Sequence, residues 1–255
     1  MEYWHWLVLV SLLFLWWERF FPARPAQPLL RPGWARDLFY LAFNGHWFMV
    51  LFGGALTALG ASLAEPRPGW LDGRPFWLQC VVFLVVSDFL QWCVHNLLHR
   101  VPFLWRLHQI HHSVVDMDFA GNFRFHWMEL VVYRGLLYLP LLYLGGDWSE
   151  SGAPLLCVAV FSTAWGHYNH SNLRLSIGPL AWLFNCPQMH LWHHDASSEG
   201  GTAKNFGIVL SVWDWLFGTA YWPRDRAPAR LGYPGLEHLP ASLPRQLFWP
   251  LMPRE

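Results

Sequence analysis

Two copies of one pattern constrain this chain more than any other feature: His108-Gln109-Ile110-His111-His112 and His190-Leu191-Trp192-His193-His194. Both read HxxHH. On a helix, positions i, i+3 and i+4 share a face. The pattern therefore predicts that each copy points its three imidazoles at one spot. Imidazole is the commonest metal-binding side chain and suits Fe, Zn, Cu and Ni. Six convergent histidines exceed what one tetrahedral metal takes, so the repeat predicts two metals side by side. His95 and His99, at i and i+4, add a second kind of box. His170, at the end of an apolar segment, adds a ninth candidate. His5, His46 and His238 fall outside the pattern and are read as structural.

The rest of the chain reads as membrane protein. Of its 255 residues, 54% are hydrophobic and only 13% charged, against about a quarter charged in a soluble domain. Its 19 Trp suit amphipathic anchoring at a membrane–water interface. Formal net charge is +0, so no basic patch argues for nucleic acid. Cys80, Cys93, Cys157 and Cys186 form no CxxC pair and read as small hydrophobes rather than as disulfides or a zinc site.

Apolar segments fall at 3–17, 38–64, 76–99, 127–146 and 153–170. The first lacks a basic leader and a small-residue cleavage site, which argues for an uncleaved helix over a signal peptide. Residues 19–36 read as a polar loop with four Arg, and 65–75 as a turn-rich loop. GGDWSESG, at 145–152, reads as the turn of a helical hairpin. Lys and Arg concentrate on the side that holds the histidine boxes, which would make that side cytoplasmic. The fold expected is an all-α membrane protein. About four to five transmembrane or membrane-embedded helices would carry a cytoplasmic helical cap, from about residue 171, closing over the metal site. The expected divisions are 1–75 for the N-terminal membrane helices, 76–222 for a catalytic domain and 223–255 for a tail.

Asp88 lies on the same helix face as His95. It reads either as an acceptor that fixes an imidazole tautomer or as a helix–helix hydrogen bond within the membrane. A zinc protease would need HExxH, which is absent. Haem takes one or two axial His, which adjacent His pairs suit poorly. Paired His-rich metals with open positions suit activation of O2 by iron. A metal-binding or metal-transport membrane protein without redox turnover is the alternative, and an inactive scaffold is disfavoured because every box is intact.

From Asp88 to Thr219 the chain resembles the fatty acid hydroxylase/sterol desaturase superfamily of membrane di-iron oxidoreductases. The residues that carry the resemblance are His95–His99, Trp105 with His108, His111, His112 and Ser113, then His170-Ser171-Asn172, then Pro187-Gln188-Met189-His190 with His193 and His194. Asn205-Phe206-Gly207 and Trp213-Asp214 with Phe217-Gly218-Thr219 fit as well. Arg124-Phe125-His126-Trp127-Met128-Glu129 resembles the family's RFHPLE, with Trp in place of Pro.

The resemblance implies that His95, His99, His108, His111, His112, His170, His190, His193 and His194 bind two Fe ions, which zinc can replace in purified protein. His126, His167 and Asp88 are candidates for ligation or for contact with a ligand, and Asn205 and Asp214 for organising the cap. The activity implied is O2-dependent hydroxylation or desaturation of a lipid C–H bond, a monooxygenase-type step in lipid or sterol-type biosynthesis. No motif for bound flavin, haem or NAD is present, so electrons would come from a separate reductase or carrier. The lipid would enter from the bilayer, and the protein would sit in a bacterial inner membrane with its active site on the cytoplasmic side.

Overall fold

The structure is a computed structural model that describes residues 1–48, 50–55, 69–145, 148–197 and 204–251, leaving aside the side chains at 138–151. Among the described residues there is no strand, only three isolated bridges. Helix α1 spans Tyr3–Phe20. Helix α2 begins at Trp34, passes through a π turn at Phe43–Trp47, and runs on as Trp34–Ala55. It starts four residues earlier than the apolar run alone predicts. The later part of that run, 56–64, and residues 65–68 of the expected loop lie outside the described residues.

Helix α3, Phe76–Arg100, carries the first histidine box, and α4, Pro102–His112, carries the second. They meet at a single residue. Val101 is extended (φ −93°, ψ 116°), as expected before a proline, whose ring disfavours the helical region for its predecessor. Pro102 then opens α4, where its missing N–H costs nothing. A 3-10 turn at Phe119–Phe123 follows. Helices α5, Trp127–Gly145, and α6, Trp148–His170, form the next pair. Trp148–Gly152, expected in the hairpin turn, is helical; Ser and Glu are tolerated in a first helical turn. Gly146 and Asp147 lie outside the described residues.

Helices α3 and α6 pack together and against α1, α4 and α5. Leu71, Phe83, Leu137 and Val158 fill the space between α3, α5 and α6. A second core joins Phe14 of α1 to Phe119, Tyr168 and Met189. Two helices, Trp34–Ala55 and Phe76–Arg100, are long and apolar enough to cross a membrane. Beyond His170 come only short elements: a 3-10 turn at Gly178–Trp182, α7 at Pro187–His193, α8 at Val212–Phe217 and α9 at Leu243–Phe248. The 3-10 turn, α7 and α8 fold over the ends of α3 and α6 as a cap, while α9 packs by Tyr40 and the start of α5.

The stretch at 19–36 is not simply a polar loop. Arg31 is buried and ion-pairs with Asp37 (2.6 Å) and Asp118 (2.7 Å), and Arg124 also pairs with Asp37. Arg24 donates to the Met117 carbonyl. Arg36 donates to the Ala241 carbonyl, so three of the four arginines counted as loop charge are tied to acids or carbonyls that the sequence leaves distant. Arg124 also donates to Ser113 Oγ (3.0 Å), which anchors the C-terminal end of α4.

Candidate metal centre

The nine boxed histidines converge, but each HxxHH splits. His95, His99, His108, His112 and His193 form one group, and His111, His170, His190 and His194 form another; within each, the ligand atoms lie within 4.8 Å of one another. The expectation that each copy aims at one spot is corrected by helix geometry. At about 100° per residue, i and i+4 differ by about 40°, while i+3 falls about 60° to the other side. So His108 and His112 go one way and His111 the other. In α7 the same split sends His190 and His194 to the second group and His193 to the first.

Each box is aimed by backbone features. Gly166 allows α6 to approach the 119–123 turn, since a Cβ there would stand 2.7 Å from Asn122 Oδ1. The Gly166 carbonyl accepts from His170 Nδ1 at 2.8 Å. Helix α7 starts at Pro187, and Asn185 holds its entry by accepting from Cys186 N and donating to the Gly207 carbonyl. The cap supplies two further acceptors: the Phe206 carbonyl for His95 Nδ1 (2.9 Å) and the Lys204 carbonyl for His193 Nδ1 (2.8 Å).

Asp214 organises this loop. It accepts from Trp92 Nε1, Phe206 N, Gly207 N and Thr219 Oγ1. Asn205 sits at φ +54°, a left-handed conformation that Asn tolerates better than most residues. Its amide donates to the Met189 and Tyr221 carbonyls, and Tyr221 N donates back to its Oδ1. Both residues thus shape the backbone that aims His95 and His193. Glu129, quoted in the sequence motif without a role, accepts from His108 Nδ1 at 2.7 Å with both side chains buried.

The three remaining candidates lie apart from the groups. Asp88 accepts from Val209 N, Leu210 N and Trp213 Nε1. It ties α3 to the cap rather than accepting from an imidazole, because the loop before α8 presents two N–H donors to it and Trp213 of α8 a third. His167 has Nε2 against Ser11 Oγ (3.0 Å) and Nδ1 against Asn122 Nδ2 (2.9 Å), which occupies both ring nitrogens. His126 contacts the Leu247 carbonyl through Nε2 and accepts from Met128 N. It fastens α9 to the start of α5.

The donor chemistry fits bound metal. A carbonyl only accepts, so His95 and His193 carry their proton on Nδ1 and keep a lone pair on Nε2. An ionised Glu129 would set the same tautomer in His108. Yet His95 Nε2 and His108 Nε2 lie 3.2 Å apart, and His193 Nε2 is buried without a partner among the described residues. In the second group, Nε2 contacts run from His111 to His170 (3.3 Å), His170 to His190 (2.9 Å) and His190 to His194 (3.1 Å). His170 has its proton on Nδ1, and a neutral imidazole has one N–H, so these contacts cannot all be hydrogen bonds. A cation among the lone pairs resolves both conflicts. At a metal–nitrogen distance of about 2.1 Å, neighbouring ligands at right angles stand about 3.0 Å apart, matching the contacts seen. Burial first, and neighbouring imidazoles second, hold His108, His111, His112, His190 and His194 well below the ordinary imidazole range. Neutral imidazole is the form that binds metal.

A cavity of about 500 Å³ reaches this centre. His95, His108, His111, His170 and His190 line it, with Phe83, Leu130, Leu137, Leu155 and Val158 along its apolar walls and Tyr3 and Trp4 of α1 among its lining.

Several known proteins are similar to this chain. Ornithine lipid hydroxylase OlsE of Rhizobium tropici is 34% identical over 204 residues, which cover 76% of this chain and 59% of that protein. Alkylglycerol monooxygenase of Homo sapiens is 29% identical over 146 residues, 56% of this chain and 30% of that protein. Fatty acid hydroxylase vlmA of a Lecanicillium species is 27% identical over 196 residues, 68% of this chain and 52% of that protein. The chain thus spans less than two thirds of the length of these relatives. No solved structure matches it. The family described as fatty acid hydroxylase matches residues 80–219, the stretch that holds all nine converging histidines and the Asp214 loop that aims two of them, and the chain belongs to that family.

Proposed function

We propose that this chain is a membrane-bound di-iron oxidoreductase that hydroxylates, or desaturates, a lipid C–H bond. The observation that carries the reading is the meeting of the two histidine groups with one apolar cavity: five of the nine histidines line it. His95, His99, His108, His112 and His193 would hold one iron, and His111, His170, His190 and His194 the other. Bound iron supplies O2 activation, with electrons from an external reductase or carrier. The chain's own residues hold the metals, keep their ligands neutral, and exclude water from the reacting carbon by apolar walls. The relatives' names refer to an ornithine lipid, an alkylglycerol and a fatty acid, so the substrate class proposed is a lipid, entering laterally from the bilayer. The histidine side would face the cytoplasm.

Protein from iron-replete cells should carry about two Fe per chain, as two separate imidazole sets require, and should consume O2 only with a reductant. Comparative lipidomics of cells with and without the chain should reveal a lipid gaining one oxygen or losing two hydrogens. That product should vanish in His111→Ala. Zinc alone, with no O2 uptake under any reductant, would support the metal-binding reading without turnover.

A further inference from the structure

Helix α3 exposes Trp77, Val81 and Val85 at i, i+4 spacing, one stripe of a helix face. The stripe stops where α8 docks. Phe217 lies over Phe89 (6.1 Å) and Trp92 (4.7 Å), Trp213 lies over Phe89 (5.0 Å), and Asp88 takes the N–H groups of Val209 and Leu210. From Asp88 onward α3 is therefore clothed on this side by the cap. The bare part, residues 76–87, is about 18 Å long at 1.5 Å per residue. A hydrocarbon core is about 30 Å thick. Helix α3 alone does not offer lipid enough apolar length.

The cap supplies what is missing. Leu216 and Phe217 of α8 are 67% and 56% exposed, directly beyond the stripe. Beside them Leu180, Trp182 and Leu183 are also exposed, joined to α8 by Trp182 against Trp215 (4.2 Å) and by Ser211 N donating to the Leu183 carbonyl. The Arg224 guanidinium lies over Trp222 (4.5 Å) and Trp182 (5.7 Å). Aromatic rings with an arginine at their edge suit the headgroup level of a bilayer, where rings stay half-apolar and the cation meets phosphate. Short apolar elements lying in that plane are the usual form of interfacial anchoring.

We infer that α8 and the 178–183 turn form a lipid-contact rim, continuous with the exposed stripe of α3, that sinks the cap into the headgroup–acyl boundary of the bilayer with Arg224 at the phosphate level. This rests on the membrane-bound reading above. The rim sets the depth of the histidine centre and makes the cap itself a membrane element.

Spin labels on single cysteines test it in the full chain, with Cys80, Cys93, Cys157 and Cys186 first replaced by alanine and the cysteine-free protein as background, reconstituted in nanodiscs of phosphatidylcholine and phosphatidylglycerol. The variants are Val81→Cys, Leu216→Cys, Trp182→Cys and Glu237→Cys. Labels at 81, 216 and 182 should collide with O2 several-fold more than with a water-soluble nickel chelate, and the label at 237 should show the reverse. Labels at 216 and 182 that behave like the one at 237 overturn the inference. So do labels there shielded from both reagents, which would mean protein contact instead. If Val81 alone stays lipid-like, the membrane reading survives and only the rim fails; if Val81 also reports water, both fail.

Discussion

In the five-histidine group, three imidazoles have Nδ1 tied to a fixed acceptor: His95 to Phe206, His108 to Glu129 and His193 to Lys204. In the four-histidine group only His170 is so tied, to Gly166, while Nδ1 of His111, His190 and His194 is buried without a partner among the described residues. The second group also turns three of its four members to the cavity, against two of five in the first. One set has more imidazoles and more of them buttressed. The other is looser and keeps room beside the cavity. The comparison teaches that binding strength and openness are divided between two sets built from the same two boxes, so the four-histidine set is the better candidate for the side on which the reacting molecules meet.

The largest effect should come from removing ligands. His194→Ala leaves three imidazoles in its set and should release about half of the iron, because structural retention needs a filled coordination set. His193→Ala leaves four in the other set and should retain more; both should lose hydroxylation. Iron analysis beside a turnover assay decides, and equal iron loss from the two variants would remove the asymmetry. Next comes Asp214→Ala, which strips four donors of a buried charged acceptor. A loss of about 3 kcal/mol or more is expected, read as a lower Tm, with iron lost first from the five-histidine set that Phe206 buttresses.

The convergence of the nine histidines was legible because i, i+3 and i+4 spacing brings boxed histidines to one side of a helix, and the family was legible from the residues that flank the boxes. Three things were not legible. The split of each HxxHH follows from the angular offset between i+3 and the i, i+4 pair, but which distant histidines complete each group depends on helix packing that local spacing does not show. The acceptors that fix His95, His170 and His193 are backbone carbonyls, and a carbonyl leaves no mark in a sequence. Asp88 reads either as a partner for an imidazole or as a helix–helix hydrogen bond until a segment more than a hundred residues away offers it Val209 N, Leu210 N and Trp213 Nε1. Arg31 likewise reads as loop charge until Asp37 and Asp118 bury it. The sequence patterns carried helix existence well and contacts between distant segments poorly.

Smaller effects sharpen the comparison further. Glu129→Gln keeps the shape but removes the charge facing His108 Nδ1. Loss of such a supporting partner typically weakens metal affinity about 10- to 100-fold. Chelator titration should show this in the five-histidine set, with the four-histidine set unchanged. Acid should act gradually rather than at one step. His108, His111, His112, His190 and His194 are held well below the ordinary value in the folded chain. The unfolded chain therefore binds protons first, below about 6.5. Stability of metal-free protein should be level above that value and fall as pH drops below it, until the folded histidines also protonate. Urea midpoints across this range give the slope; a flat profile would mean that the imidazoles are not buried neutral.

Val101 is the whole of the connection between the first two boxes. It works as a ruler. One inserted residue there would turn α4 by about 100° and advance it by about 1.5 Å, presenting Leu107 where His108 had been and His111 where His112 had been, and scattering both sets at once. Length variation is harmless in most surface connections, but the nine-residue step from His99 to His108 should be among the least tolerant distances in the chain. Random libraries that change loop length should therefore recover functional variants elsewhere and none at this joint.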